Sequence, residues 1–297
     1  MKLLTYICSK CGKERVGVLS SNGEKVYPLW RMGFDYESMN ELIQKADKEE
    51  LAKIAAAAAK AEEGEGGKKF EETKMIAPIP VPIQDVICLG INYADHAVES
   101  ARYKKELSPK VEYATYFAKR VARAVGHGEP IDGHSDFVER LDYEVELAVI
   151  IGKDARDVAE EDAFDYVFGY TVLNDVSARD LQTRHNQWYF GKSLDGFTPM
   201  GPWIVTEDEF ARPPVLKITS KVNGELRQDS MTDRFIHSIP EVISELSRGI
   251  TLKAGTIISM GTPSGVGMGF QPPKFLSVGD VVTCEIEGIG VLENTVK

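Results

Sequence analysis

The chain has 297 residues, of which 43% are hydrophobic and 27% are charged, a composition typical of globular proteins. Its formal net charge of −11 argues against a nucleic acid or an anionic membrane as partner, because the overall field would repel both. The sequence has no apolar run of membrane-spanning length, and its first residues lack the pattern of a signal peptide, so we expect a cytoplasmic protein.

The first 79 residues predict a small α+β domain. Short apolar runs flank Asn22-Gly23, a pair typical of hairpin turns. Residues 37–63 have the composition of helix, and residues 62–69 are polar and glycine-rich, as in a linker. Prolines then mark an extended connection. We therefore predict a domain boundary near residue 80, with a small domain over 1–79 and a larger one over 80–297.

The chain has four cysteines. Cys8 and Cys11 form a CxxC pair followed by Gly12, which has the form of half a zinc knuckle. A closed zinc site needs four ligands, and the other two cysteines, Cys88 and Cys284, stand isolated in apolar runs. We interpret the pair as a turn between two N-terminal strands; a zinc or redox role is the alternative.

A candidate general base follows a short apolar strand predicted at 85–90. If a helix starts near Asn92, His96 and Glu99 lie three residues apart on one face, where the carboxylate can orient the imidazole. The alternative is a surface ion pair. The Lys- and Glu-rich segment that follows, over 100–112, is a candidate lid over a cleft.

Carboxylates dominate the stretch at 142–147, where polar and apolar residues alternate as in a half-buried strand. This pattern puts Asp142, Glu144 and Glu146 on one face. Adjacent carboxylates repel, and burying them is costly unless a cation neutralises them. The alternative is an exposed edge strand whose acidic face is solvated.

A third carboxylate comes from Asp175, just beyond the apolar strand predicted at 167–173. Oxygen ligands from Glu144, Glu146 and Asp175 would suit a hard cation such as Mg²⁺, Mn²⁺ or Ca²⁺. Asp142 is either a fourth ligand or a supporting partner, and both interpretations stay open.

Several other polar residues of the chain could face the same cleft. Arg179 and Gln182 lie within one helical turn of each other, and Lys192 stands between a glycine and a serine. Lys119 lies near the end of another predicted strand. The glycine-rich loop at 261–267 is not a phosphate-binding loop, because it lacks a Gly-Lys-Ser/Thr signature and a following helix; we interpret it as a tight loop near a ligand.

Five motifs, in one order along residues 80–297, resemble those of the fumarylacetoacetate hydrolase family. Each motif alone is weak, but their shared order argues against a chance match. They are Asn-Tyr-Ala-Asp-His-x-x-Glu at 92–99, Asp-Tyr-Glu-x-Glu-Leu at 142–147, Gly-Tyr-Thr-x-x-Asn-Asp-Val-Ser-Ala-Arg-Asp-Leu-Gln at 169–182, Gly-Lys-Ser at 191–193 and Gly-Thr-Pro-Ser-Gly-Val-Gly at 261–267.

The resemblance implies a β-rich α+β fold, a rolled mixed β-sandwich with a few helices behind a small N-terminal domain, and a homodimer. It implies Mg²⁺ or Mn²⁺ held by Glu144, Glu146 and Asp175. It also implies a His96–Glu99 dyad on a lid helix, with Lys192 as a further catalytic residue. The residues expected to bind substrate are Arg179, Gln182, Thr262 and, as an addition, Lys119.

The activity that the resemblance implies is hydrolysis of a carbon–carbon bond in acylpyruvate-like 2-oxo acids, by way of an enolate held at the metal, as in the catabolism of aromatic compounds. The alternatives on the same site are isomerisation of a 5-carboxymethyl-2-hydroxymuconate or 2-hydroxyhepta-2,4-diene-1,7-dioate, and decarboxylation of oxaloacetate. A non-catalytic binding protein is a third hypothesis, which the intact set of candidate residues disfavours.

Overall fold

Strands dominate the computed structural model, which describes residues 1–64, 66–101 and 112–297. Within these ranges the strands are, in chain order, β1 (Lys2–Ile7), β2 (Glu14–Leu19), β3 (Lys25–Pro28), β4 (Lys68–Lys69), β5 (Met75–Ile76), β6 (Val86–Gly90), β7 (Thr115–Lys119), β8 (Leu141–Asp142), β9 (Val145–Ile151), β10 (Val167–Asn174), β11 (Ser177–Ala178), β12 (Met200–Thr206), β13 (Lys217–Val222), β14 (Glu225–Met231), β15 (Ile257–Ser259), β16 (Val281–Ile286) and β17 (Gly290–Thr295). The predicted strand-rich α+β class is confirmed.

Helices are fewer and mostly short. The α-helices of the described residues are α1 (Met39–Lys45), α2 (Lys48–Glu62), α3 (Ala94–Ala101), α4 (Arg179–Arg184), α5 (Tyr189–Lys192) and α6 (Ile239–Ser247). The 3₁₀ helices are Leu29–Met32, Phe70–Glu72, Glu160–Tyr166, Glu207–Glu209, Thr232–Arg234 and Gly267–Gly269. None of the described helices is long and apolar enough to cross a membrane.

Among the described residues, eleven strands form one mixed sheet in the order β4-β3-β2-β1-β12-β10-β9-β15-β6-β7, with β5 paired to β1. A second sheet has the order β14-β13-β16-β17, and β8 pairs with β11. Successive side chains of β9 point to opposite faces of the sheet, so they pack alternately into two hydrophobic cores. Val149 packs towards the smaller sheet and α6, whereas Ile150 packs towards α1 and α2.

Local signals account for several elements. The Asn22-Gly23 turn joins β2 to β3, as predicted. The helical composition of 37–63 becomes α1 and α2, separated where the Asp47 side chain caps α2 by accepting from the Glu50 N–H. Ser238 forms a capping box with Glu241 at the start of α6.

The N-terminal segment extends the large sheet through the antiparallel pair β1 and β12, in which Leu3 lies opposite Ile204. Hydrogen bonding between strands is therefore continuous across residue 80. The predicted division into 1–79 and 80–297 stays a prediction.

The acidic stretch departs from its predicted form. It is not one continuous strand, because β8 ends at Asp142 and β9 begins at Val145. The two halves pair with different partners: Asp142 lies opposite Ser177, and Val145 lies opposite Asn174. The edge-strand alternative is wrong, because β9 runs between β10 and β15 and all its residues are buried. The predicted lid over 100–112 lies, for its residues 102–111, outside the described residues.

Candidate active site

Three buried carboxylates meet where β9 begins and the neighbouring strand β10 ends. Oxygen atoms of Glu144, Glu146 and Asp175 all lie within 4.8 Å of one another. Strand pairing brings them together, since Glu146 on β9 lies opposite the Leu173 position of β10 and Asp175 follows the end of β10. The Asp175 N–H also donates to the Glu144 carbonyl at 2.8 Å.

Cationic side chains surround this cluster. Lys192 Nζ lies 2.6 Å from both Glu144 Oε2 and Asp175 Oδ2. Lys119 Nζ donates to Asp175 Oδ1 at 2.7 Å, and Arg179 Nη2 lies 2.6 Å from Glu144 Oε1. All of these cations are buried, so the protein itself neutralises much of the negative charge that the cluster carries.

The pKa values of two glutamates in the cluster are shifted in opposite directions. Burial opposes ionisation of Glu144, but Lys192 and Arg179 outweigh it and hold the pKa of Glu144 well below its usual range. Burial, together with the charges of Asp175 and Glu144, raises the pKa of Glu146 well above its usual range. Glu146 accepts from the Ser259 hydroxyl at 2.6 Å, a neutral partner that stabilises its charge less than an ammonium would.

The donor set fits a hard divalent cation. Three carboxylates from separate positions converge without a histidine or a cysteine among them, which is the ligand chemistry of Mg²⁺ and Mn²⁺. Two of these carboxylates share one ammonium, that of Lys192, so an arriving cation would compete with Lys192 for the same oxygens.

The His96–Glu99 pair lies on α3, buried beside the cluster. His96 Nδ1 lies 2.9 Å from Glu99 Oε2, and Glu99 Oε1 accepts from the Gly265 N–H at 3.0 Å. Because both residues are only 8% exposed, the surface ion pair considered from the sequence is wrong. Both oxygens of Glu99 are thus held in place, and its negative charge can stabilise the positive charge of His96 when the imidazole is protonated.

The glycine-rich loop, residues 261–267, holds carboxylates through its backbone. Besides Gly265, the Gly261 N–H donates to Glu146 Oε2 at 3.0 Å and the Gly267 N–H donates to Asp142 Oδ1 at 2.7 Å. Gly265 has a φ of +103°, and an added Cβ would collide with the Arg227 carbonyl oxygen, so glycine is required there. The loop therefore binds carboxylates of the protein and is not followed by an α-helix.

Asp142 lies outside the carboxylate cluster and supports Arg179. Its carboxylate accepts from Arg179 Nε at 2.9 Å and from the Met268 N–H at 3.0 Å. Arg179 Nη1 in turn donates to Gln182 Oε1 at 3.0 Å, as the spacing of these two residues on α4 allows. Of the two interpretations of Asp142 left open by the sequence, the structure favours the supporting partner.

A small cavity of about 50 Å³ opens onto the site. The sequence-predicted residues that line it are His96, Glu144, Glu146, Arg179, Gln182, Lys192 and Thr262. Lys119 lies deeper: it is fully buried and donates to Asp175 and to the carbonyl of Val176. Its ammonium faces the carboxylate cluster and not the open space where a substrate would lie.

Sequence reasoning missed the apolar wall of the cavity, to which Gly90, Phe117 and Trp188 contribute. The Phe117 and Trp188 rings meet edge to face with centroids 5.3 Å apart. An added Cβ at Gly90 would collide with the Trp188 ring. The position of Trp188 between Gln182 and Lys192, both predicted site residues, is a signal that could have identified it.

Comparison with known proteins gives a consistent result. The family model described as "Fumarylacetoacetate (FAA) hydrolase C-terminal" matches residues 85–297. Oxaloacetate tautomerase YisK of Bacillus subtilis (strain 168) is 48% identical over 227 residues, which are 76% of this chain and 74% of that protein.

Solved structures agree over the whole chain. A fumarylacetoacetate hydrolase from psychrophilic Exiguobacterium antarcticum superposes with a TM-score of 0.81 at 38% identity, covering 100% of this chain and 99% of that one. Maleylpyruvate hydrolase from Sphingobium sp. SYK-6, solved in complex with manganese(II) ion and pyruvate, has a TM-score of 0.76 at 28% identity, covering 100% and 98% of the two chains.

Proposed function

The chain belongs to the fumarylacetoacetate hydrolase family, and from that premise we propose that it interconverts the keto and enol forms of a short 2-oxo dicarboxylic acid such as oxaloacetate. The observation that carries the proposal is the meeting of the buried carboxylate cluster with the His96–Glu99 dyad at one small cavity. The 48% identity to an oxaloacetate tautomerase supports the choice of substrate.

A divalent cation, Mg²⁺ or Mn²⁺, belongs to this proposal, held by Glu144, Glu146 and Asp175. When bound, it supplies Lewis acidity that polarises the 2-oxo carbonyl and stabilises negative charge on its oxygen. The manganese in the maleylpyruvate hydrolase structure supports this choice of cation class.

His96 is the proposed base. It removes a proton from the carbon beside the carbonyl, and a proton is delivered to the carbonyl oxygen to give the enol, so the interconversion neither gains nor loses protons overall. Glu99 holds Nδ1, so Nε2, which lies 3.5 Å from Ser100 Oγ, is the nitrogen available to the substrate. Lys192 and Gln182 line the same cavity and can donate hydrogen bonds to oxygens that gain negative charge.

The cavity supports a short substrate. Its volume of about 50 Å³ is bounded on the apolar side by Phe117 and Trp188, which leave little room for an acyl chain. A divalent cation at the cluster, together with Lys192 and Arg179, would explain how a chain of net charge −11 holds a dianion in the cavity.

Carbon–carbon bond hydrolysis of an acylpyruvate is the second candidate. The dyad favours it as well, because His96 oriented by Glu99 could equally deprotonate a water molecule. The fold shared with a maleylpyruvate hydrolase also supports it. A homodimer is proposed with either activity.

The two candidates are separated by their products. Purified protein with Mg²⁺ is given oxaloacetate, acetylpyruvate and maleylpyruvate, while enol absorbance, pyruvate release and carbon dioxide release are followed. The proposal predicts faster equilibration of oxaloacetate enol without release of pyruvate. Pyruvate from the acylpyruvates at a higher kcat/KM would favour the hydrolase, and carbon dioxide would favour the decarboxylase. No turnover of any of them would contradict all three.

A further inference from the structure

The CxxC pair near the N-terminus lies in a tight turn. Strand β1 ends at Ile7, and the Gly12 N–H donates to the Cys8 carbonyl at 2.8 Å, which closes the turn around Cys11. Gly12 has a φ of +69°, in the left-handed region that glycine adopts freely. Both thiols are free; Cys8 is half-buried and Cys11 is exposed.

The turn places the two cysteines on one pocket. Cys8 and Cys11 lie in the turn that the Gly12 N–H closes on the Cys8 carbonyl, and both line the same pocket. A turn of four residues brings its first and last Cα atoms within about 7 Å of each other, a separation at which a disulfide can form. The predicted interpretation of the pair as a turn between strands is confirmed, but a turn alone does not account for two thiols on one pocket.

Cationic side chains line a pocket of about 280 Å³ beside the thiols, which we call the cationic pocket. Among the described residues, its lining includes Lys10, Arg15, Arg31 and Lys68 and no Asp or Glu. In a chain of net charge −11, such a concentration of positive charge attracts small anions to one place.

The chemistry of Cys8 differs from that of the buried cysteines. Hydrogen bonds from the Lys10 and Cys11 N–H groups and the Cys11 thiol, assisted by the charge of Lys68, lower the pKa of Cys8 to about 7. Burial raises the pKa of Cys88 and of Cys284. Cys8 therefore carries a larger fraction of the nucleophilic thiolate form than Cys88 or Cys284.

A zinc site does not fit the pair. Across the part of the chain that the structure describes, the one group of three or more potential ligands is the carboxylate cluster of the active site. Within the described ranges, Cys8 and Cys11 therefore have no further ligands with which to complete a closed tetrahedral site.

We propose that Cys8 and Cys11 form a reversible dithiol–disulfide pair that exchanges with small anionic disulfides, such as oxidised glutathione, bound in the cationic pocket. The Cys8 thiolate attacks one sulfur of the small disulfide, whose S–S bond breaks to release one thiolate. Cys11 loses its proton and attacks Cys8 Sγ, which forms the Cys8–Cys11 bond and releases the second thiolate. The small disulfide gains two electrons and the protein loses two.

The first test follows the covalent products. Reduced full-length protein is incubated with oxidised glutathione, quenched by alkylation and analysed by mass spectrometry. Wild type should form the Cys8–Cys11 disulfide, Cys11→Ser should stop at a mixed disulfide on Cys8, and Cys8→Ser should form neither. Ser9→Ala, in the same turn, should behave as wild type. Wild type that keeps both thiols in excess oxidised glutathione would overturn the proposal.

The second test addresses the cationic pocket. The rate with oxidised glutathione is compared with that for the neutral bis(2-hydroxyethyl) disulfide. Arg15→Gln combined with Arg31→Gln should slow the anionic reagent by about tenfold and leave the neutral one nearly unchanged, because steering acts on charge. Equal slowing of both reagents would remove the pocket from the proposal. Neither test depends on the activity proposed for the active site.

Discussion

The Lys192 ammonium lies 2.6 Å from the Glu144 carboxylate and at the same distance from Asp175, so one buried cation bridges two of the three candidate metal ligands. Burial opposes the charge on Lys192, but these carboxylates outweigh it and raise the pKa of Lys192 above its usual range. The candidate metal centre thus contains an internal counter-ion, which has a consequence for the metal-free protein.

Protein stripped with EDTA should stay folded, because Lys192 compensates the carboxylates, but it should be inactive until Mg²⁺ is restored. In Lys192→Met the stripped form should lose about 3–5 kcal/mol of unfolding free energy, because buried charges lose their partner. Added Mg²⁺ should recover part of that loss. Denaturant unfolding with and without Mg²⁺ measures both, with Lys253→Met at an exposed ion pair as control. Equal stability of stripped Lys192→Met and wild type would contradict this view.

Asp142 should contribute to stability more than an ordinary aspartate. Asp142→Ala leaves Arg179 with one carboxylate fewer and the Gly267 and Met268 N–H groups without an acceptor. We expect a loss of about 3–5 kcal/mol in unfolding free energy, together with lower activity. Asp136→Ala, at an exposed position, should change stability by less than about 0.5 kcal/mol. A similar small change in Asp142→Ala would remove the supporting role.

Two glycines with similar backbone conformations allow the effect of backbone strain on stability to be distinguished from an effect on activity. Gly265 and Gly279 have φ of +103° and +94°, but an added Cβ meets Arg227 backbone at the first and open space at the second. Both alanine variants should lose about 1–3 kcal/mol of unfolding free energy from backbone strain, and Gly265→Ala should lose more because its Cβ also collides with the Arg227 carbonyl oxygen. Only Gly265→Ala should also lose activity, because its N–H holds Glu99. Equal kcat in the two variants would show that the glycine-rich loop does not support the His96–Glu99 dyad.

Trp188 should limit substrate length. Trp188→Ala opens the apolar wall beside Phe117, so we expect the kcat/KM ratio of maleylpyruvate to oxaloacetate to rise by about tenfold. Steady-state kinetics on both substrates measure the ratio. Trp30→Ala, in the cationic pocket, is the control and should leave the ratio unchanged. An unchanged ratio in Trp188→Ala would show that this wall does not select substrate.

Local chemistry predicted much of the fold. The Asn22-Gly23 turn and the Ser238 cap could be identified from sequence because a few neighbouring residues determine them. The strand break after Asp142 could not, because it arises from pairing with two different partners far along the chain. Local sequence was enough to predict that a strand is present here, whereas the point at which the strand breaks depends on tertiary contacts.

The site shows the same distinction. Glu144 and Glu146 were identifiable from their alternation, yet the contact of Glu99 with Gly265 joins residues far apart in sequence that no spacing rule connects. Residue type alone does not predict the different positions of Lys119 and Lys192 in the site. Both are buried lysines at Asp175, but only Lys192 lines the cavity.

The central claim is that His96 transfers the proton in keto–enol interconversion and is not itself a ligand of the metal. The decisive measurement is the rate of oxaloacetate enol-to-keto conversion, followed by ultraviolet absorbance, in wild type and His96→Ala with Mg²⁺ binding confirmed by calorimetry. The account predicts acceleration by wild type, unchanged Mg²⁺ affinity in the variant, and a loss of about 10²–10⁴-fold in its rate. A His96→Ala variant that converts the enol at the wild-type rate would contradict it.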